Sequence, residues 1–108
     1  MTDRINLLEQ YLAEEPNDPF IKYALALEYY KSGKKEKSLE LMTNLVTTNS
    51  DYRPVYYQLG KFYEGDGRKK EAIDVYKKGI VLATSTGNHH TVSELRSALN
   101  ELIDNPTI

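Results

Sequence analysis

The sequence predicts an all-α fold: about six antiparallel helices, paired as hairpins and stacked as an α-solenoid or superhelix. Three observations carry the prediction. Apolar residues recur at i, i+3, i+4 and i+7, the period of a helix with one buried stripe. Leu25, Ala26 and Tyr29 make one such set, Tyr56, Leu59, Gly60 and Tyr63 a second, and Ala72, Tyr76, Gly79 and Ile80 a third, while no comparable run alternates with period two. Gly33, Gly67 and Gly87 stand where helices should stop, and glycine takes the left-handed conformation that ends a helix. Finally, the chain matches itself at an offset of 34 residues: Tyr23 with Tyr57, Leu25 with Leu59, Tyr29 with Tyr63, Gly33 with Gly67, Lys35 with Lys69 and Leu39 with Ile73.

Helices are expected over residues 3–14, 19–32, 35–48, 53–65, 69–86 and 89–103. The first lies in MTDRINLLEQYLAEE, an acidic stretch broken by polar residues every few positions. It has no basic segment followed by an apolar run, so no secretory signal is expected. Asp18 before Pro19 reads as a cap followed by proline in the first turn, which opens the second helix. The third and fifth begin just past Gly33 and Gly67, and Asp51 with Pro54 marks the start of the fourth. For the sixth, two starts stay open: Asn88 as the cap, or Thr91 with Glu94 as a capping box. The terminal DNPTI is expected to fray. Loops this short make neighbouring helices antiparallel.

Composition narrows the class of protein. With 108 residues, the chain suits one domain with a modest core. Hydrophobic residues make up 40% and charged residues 28%, and the net charge is −2, so no global field draws the chain to nucleic acid or anionic lipid. There is no cysteine, which removes disulfides, thiolate metal sites and a cysteine nucleophile and suits a reducing compartment. No run approaches the roughly 18 apolar residues of a membrane span. A soluble, cytoplasmic, single-domain protein is expected.

Helix–turn–helix units at a 34-residue period mark a tetratricopeptide array. The unit over residues 53–86 resembles that family closely. Tyr56, Leu59, Gly60, Tyr63, Ala72, Tyr76 and Gly79 sit at its signature spacings, with an aromatic residue where tryptophan is common. The unit over residues 19–52 keeps Leu25, Ala26, Tyr29 and Met42; it departs with Lys22 at the aromatic position and with Ser38 and Leu45 at small-residue positions. LLEQYLAEEPNDP looks like the second helix of a unit with its proline-bearing link, so residues 1–18 form a half-unit and residues 87–108 a capping helix and tail. Packing gives the pattern its reason. Helices cross closely only where a side chain is small, as at Ala26, Ser38, Gly60 and Ala72, and tyrosines and leucines fill the space beside those crossings. A lone hairpin cannot bury its stripe, so units stack.

Tyr23, Leu27 and Tyr30 follow i, i+4, i+7 on a face about 120° from the Leu25–Ala26–Tyr29 stripe. Their helix is apolar on two sides, and the second side meets either a neighbouring helix or a ligand. The resemblance implies a concave groove lined by the first helix of each unit, holding an extended peptide or a partner helix. Phe20, Tyr23, Leu27 and Tyr30 then line it in unit one, and Tyr57, Gln58, Lys61 and Glu64 in unit two, with Lys31 and Lys61 biasing it toward acidic ligands. Family members that clamp a terminal carboxylate use lysine and asparagine at positions that here hold Tyr23, Leu27, Tyr57 and Lys61, so an apolar, aromatic groove is expected instead. The implied function is a non-catalytic protein–protein interaction module, adaptor-like or co-chaperone-like. The alternative is a homo-oligomerisation module that uses the same face to form a homodimer.

Chemistry has little to stand on. GDGRKK lacks the Gly-Lys-Ser/Thr ending of a phosphate loop and follows no strand, so it reads as a turn between helices with solvating lysines. His90 and Glu94 are four apart, yet no third metal ligand is evident nearby. No serine stands in a nucleophile motif. No enzyme activity, cofactor, metal or nucleic-acid partner is expected. Because two units are marginal without flanking cover, removal of residues 88–108 is expected to unfold or aggregate the protein, read as loss of a cooperative thermal transition in circular dichroism.

Overall fold

The computed structural model describes residues 2–104, all-α among the described residues. Six helices stand in chain order: α1 (Thr2–Glu14), α2 (Pro19–Lys31), α3 (Lys35–Thr48), α4 (Pro54–Gly65), α5 (Lys69–Ser85) and α6 (His89–Asp104). Their ends fall within one residue of the ranges expected from periodicity and caps. The tail expected to fray lies, beyond Asp104, outside the described residues. The chain divides into two compact units, Met1–Tyr52 and Arg53–Ile108.

Side-chain caps open α2 and α6, and glycines close α2, α4 and α5. The Asp18 carboxylate accepts the amides of Phe20 at 2.9 Å and Ile21 at 3.2 Å, satisfying two of the donors that a helix start leaves over. Asn88, not the Thr91–Glu94 pair, caps α6: its side-chain oxygen accepts the Thr91 amide at 3.0 Å. The three glycines end their helices as expected. Gly33 and Gly67 have φ of 85° and 73°, where any β-carbon is strained. The next residues, Lys34 and Arg68, donate their amides back to Tyr29 and Tyr63, each at 2.8 Å, which closes the helix end.

In the first unit α2 packs between α1 and α3. Ile5 and Leu8 of α1 meet Leu25 and Tyr29 of α2 in one buried cluster, with Leu12, Ala24 and Leu41 packed against it. Burying a side chain of this size contributes about 1.5–3 kcal/mol. Two polar residues are buried here, and each is satisfied. Ser38 stands at a small-residue position and donates its hydroxyl to the Ala26 carbonyl at 2.7 Å, so a serine serves where α2 and α3 touch. Lys22 occupies the aromatic position and is only 6% exposed. Its stem fills apolar space, while Nζ reaches Thr48 Oγ1 and Asn49 Oδ1, both at 3.2 Å, at the end of α3. The negative end of the α3 dipole lies there, which favours the ammonium group.

In the second unit α5 packs between α4 and α6. The Tyr76 ring of α5 lies against Gly60 of α4; a β-carbon at Gly60 would stand 2.1 Å from the tyrosine ring. Gly79 lies where α5 meets both neighbours: a β-carbon there would stand 2.7 Å from the β-carbon of Tyr56 in α4 and 2.8 Å from Leu95 Cδ1 in α6. α6 buries Leu95, Ala98, Leu99 and Leu102 on one stripe. Gly79→Ala is expected to destabilise the protein by about 1–3 kcal/mol, because the Tyr56 β-carbon cannot rotate away and overpacking outweighs the gain in helix propensity. The urea midpoint measures it, with an unchanged dependence on denaturant.

Candidate functional site

The face of α2 about 120° from its packed stripe carries Tyr23, Leu27 and Tyr30, with Phe20 beside them. Phe20 is 66% exposed, and Tyr23, Leu27 and Tyr30 are half-buried. Tyr23 meets the edge of Tyr52, in the link between α3 and α4, with ring centroids 5.5 Å apart. The Lys35 ammonium sits 5.5 Å over the Tyr30 ring. Lys31 is exposed and 3.7 Å from Glu28, whose carboxylate also takes Arg4 Nε of α1 at 3.0 Å. The face is therefore aromatic, ringed by charges that already have partners.

In unit two, Tyr57, Lys61 and Glu64 share one stripe of α4 and form one network. Lys61 Nζ lies 5.5 Å over the Tyr57 ring and 3.8 Å from the Glu64 carboxylate. That carboxylate accepts the hydroxyl of Tyr76, whose ring is tilted against Tyr57 at 6.5 Å. Gln58 is half-buried but stands one residue, about 100°, round the helix from Tyr57, outside this network. The sequence reading missed two contributors, Tyr52 and Tyr76. Spacing within α2 and α4 says nothing about an aromatic residue delivered from a link or from the second helix of a hairpin. The tyrosine pattern itself was a signal for Tyr76, read only as packing.

Both units tie a buried tyrosine hydroxyl to a carboxylate. Tyr29 donates to Glu9 of α1 at 2.6 Å. Burial first, and then the hydrogen bond and charge of Glu9, push the Tyr29 phenol up to about 12. Burial first, then the bond to Glu64, also raises Tyr76 far above the usual phenol range. Two basic residues near the starts of second helices face rings: Lys37 of α3 lies 5.4 Å from the Tyr29 centroid, and Arg68, just before α5, 4.9 Å from that of Tyr63. The Arg68 contact holds the link before α5 against α4. Among the described residues no group of three or more His, Cys, Asp or Glu side chains could hold a metal ion. Among them, too, no helix is long and apolar enough to cross a membrane.

A family model for the tetratricopeptide repeat matches residues 1–103. The chain belongs to the tetratricopeptide-repeat family. It is 42% identical to a tetratricopeptide repeat domain protein from Salinibacter ruber. The solution structure of that domain superposes with a TM-score of 0.77, over 81% of this chain and 88% of that one. A crystal structure from the same organism gives a TM-score of 0.73 at 42% identity, over 79% and 96% of the two chains. A Bordetella parapertussis protein, 23% identical, shares the fold with a TM-score of 0.77 over 93% and 87%. No curated protein matches the chain. Tetratricopeptide folds are in general scaffolds for protein–protein interaction, which is the class of function this membership supports.

Burial of Tyr29 and Tyr76, with their carboxylate bonds, makes stability depend on pH in the alkaline range. An unfolded tyrosine ionises near about 10, whereas Tyr29 in the folded chain holds its proton to about 12. Between these values the folded state binds more protons, so stability present below pH about 10 falls as pH rises toward about 12. Tyr29→Phe is expected to reduce that fall, measured as the difference in urea midpoint between neutral pH and pH about 11.

Proposed function

We propose that this chain is a non-catalytic interaction module that holds a peptide segment or partner helix against the outer face of the first helix of a hairpin. Phe20 carries the reading. A phenylalanine 66% exposed on a helix whose opposite face is buried leaves a large apolar area in water, and covering it gains about 25 cal/mol per Å². Tyr23, Leu27 and Tyr30 extend that surface along α2 as half-buried side chains. Tyrosine suits the task, because its rigid body loses little entropy on binding and its hydroxyl reaches a peptide backbone.

The α4 face is a second, more polar binding surface. Tyr57 gives it an aromatic floor, Gln58 supplies an amide for a peptide backbone, and Lys61 with Glu64 forms a pair of opposite charges. Lys31 and Lys61 each have an acidic neighbour three residues away, so selection rests on apolar and aromatic side chains, and any preference for acidic ligands is secondary.

The test is to pan the purified protein against a random peptide library and to measure the affinity of enriched peptides by fluorescence anisotropy. Phe20→Ala with Leu27→Ala is expected to weaken binding at least about tenfold, with helicity unchanged. Equal affinity of the double variant, or no enriched peptide, overturns the reading. If the same variant instead dissolves a stable dimer in sedimentation, this face serves self-association.

A further inference from the structure

We propose that α1 is a lid: it leaves α2 and melts as one unit while α2 and α3 stay paired, and its departure uncovers Leu25 and Tyr29. Of its described side chains only Ile5 and Leu8 are buried; Leu12 is half-buried and the rest are exposed. Each of the other helices buries between four and six residues. The contrast with α6 is direct. That helix also packs mainly on one neighbour, α5, yet it buries Leu95, Ala98, Leu99 and Leu102.

The seat of α1 is incomplete as well. An open cleft of about 400 Å³ is lined by Leu12 of α1, Leu25 and Tyr29 of α2, and Lys37, Glu40 and Leu41 of α3. Leu12 and Leu41 both pack against the buried cluster, but they leave this space beside it unfilled. Missing contacts of that kind forfeit packing energy where α1 ends.

Alone, α1 has little reason to remain helical. Isolated helices of about 12–15 residues are marginal in water even when rich in alanine. α1 has 13 residues, one of them alanine. No basic residue stands in its last turn; Glu14 does, with Glu15 just beyond, at the negative end of the helix dipole. Undocking and melting are therefore one event, a local unfolding unit. Two polar bonds latch the lid: Arg4 Nε to the Glu28 carboxylate at 3.0 Å, and the Tyr29 hydroxyl to Glu9 at 2.6 Å. Arg4 and Glu9 are exposed, so water competes for both and solvates them when the lid opens. The pairing of α2 with α3 rests on other residues. They meet along a longer contact than α1 and α2, Ser38 bonds the Ala26 carbonyl, and Lys22 reaches Thr48 and Asn49.

Native-state hydrogen exchange by NMR on the full chain is the test. The best-protected α1 amides are expected to exchange at least about a hundredfold faster, relative to their intrinsic rates, than those of α2. Their exchange should also depend less steeply on urea, because opening the lid exposes less surface than unfolding does. Leu45→Val removes one fully buried methylene from α3. It should lower protection in α2 and α3 several-fold and leave α1 unchanged, since a local opening does not pass through the unfolded state. The chain has no cysteine, and Leu25 and Leu59, one repeat apart, are each 2% exposed. A thiol reagent should therefore label Leu25→Cys at least about tenfold faster than Leu59→Cys. Equal protection and equal urea dependence in α1 and α2 overturn the proposal. So does a fall in α1 protection that matches α2 in Leu45→Val, or equal labelling of the two cysteines.

Discussion

The close approach of helices at small residues is the constraint on which the rest of the structure depends. Tyr76 rests on Gly60 with no room for a single added carbon, and Gly79 brings Tyr56 and Leu95 within contact of one backbone. In the first unit Ser38 does the same work by a different chemistry. It is small enough to let α2 and α3 touch, and its hydroxyl answers the carbonyl it meets. Once those crossings are fixed, the large side chains have one arrangement left that fills space, and the outward faces of α2 and α4 follow from it.

Tyrosine is the second theme. A buried phenol needs an acceptor, and each unit supplies a carboxylate, Glu9 for Tyr29 and Glu64 for Tyr76. These bonds cross between helices, so they lock packing as well as satisfy a donor. Tyr29, Tyr30 and Tyr63 each present a ring to a lysine or arginine at or near the start of the following helix. Among the described residues no buried side-chain nitrogen or oxygen lacks a hydrogen-bond partner. A chain with nine tyrosines and no tryptophan thereby builds its core from residues that also reach water.

That amphipathic chemistry links fold to function. Aromatic side chains half in and half out of the core offer a partner rigid apolar area without a large ordering cost. On α2 the Arg4, Glu28 and Lys31 charges around them are already paired. On α4 the pairing of Lys61 with Glu64 ties the surface to the core through Tyr76. Glu64, which pairs with Lys61 on that surface, is the same residue that holds Tyr76 over Gly60.

By itself the sequence determined where helices begin and end, because caps, glycines and period are local properties. Asp18, Gly33 and Gly67 behave as their chemistry requires, and the 34-residue match identified the repeat from residues that must pack alike. Only the tertiary structure decided how the exceptional residues are used. Lys22 at an aromatic position is resolved by Thr48 and Asn49, far along the chain. Asn88 prevailed over the Thr91–Glu94 alternative, Tyr52 came to meet Tyr23, and Lys31 and Lys61 found acidic partners. The physical reason is range. Helix propensity and capping act within a turn of the chain, whereas the partner of a side chain is chosen by whatever the fold brings beside it.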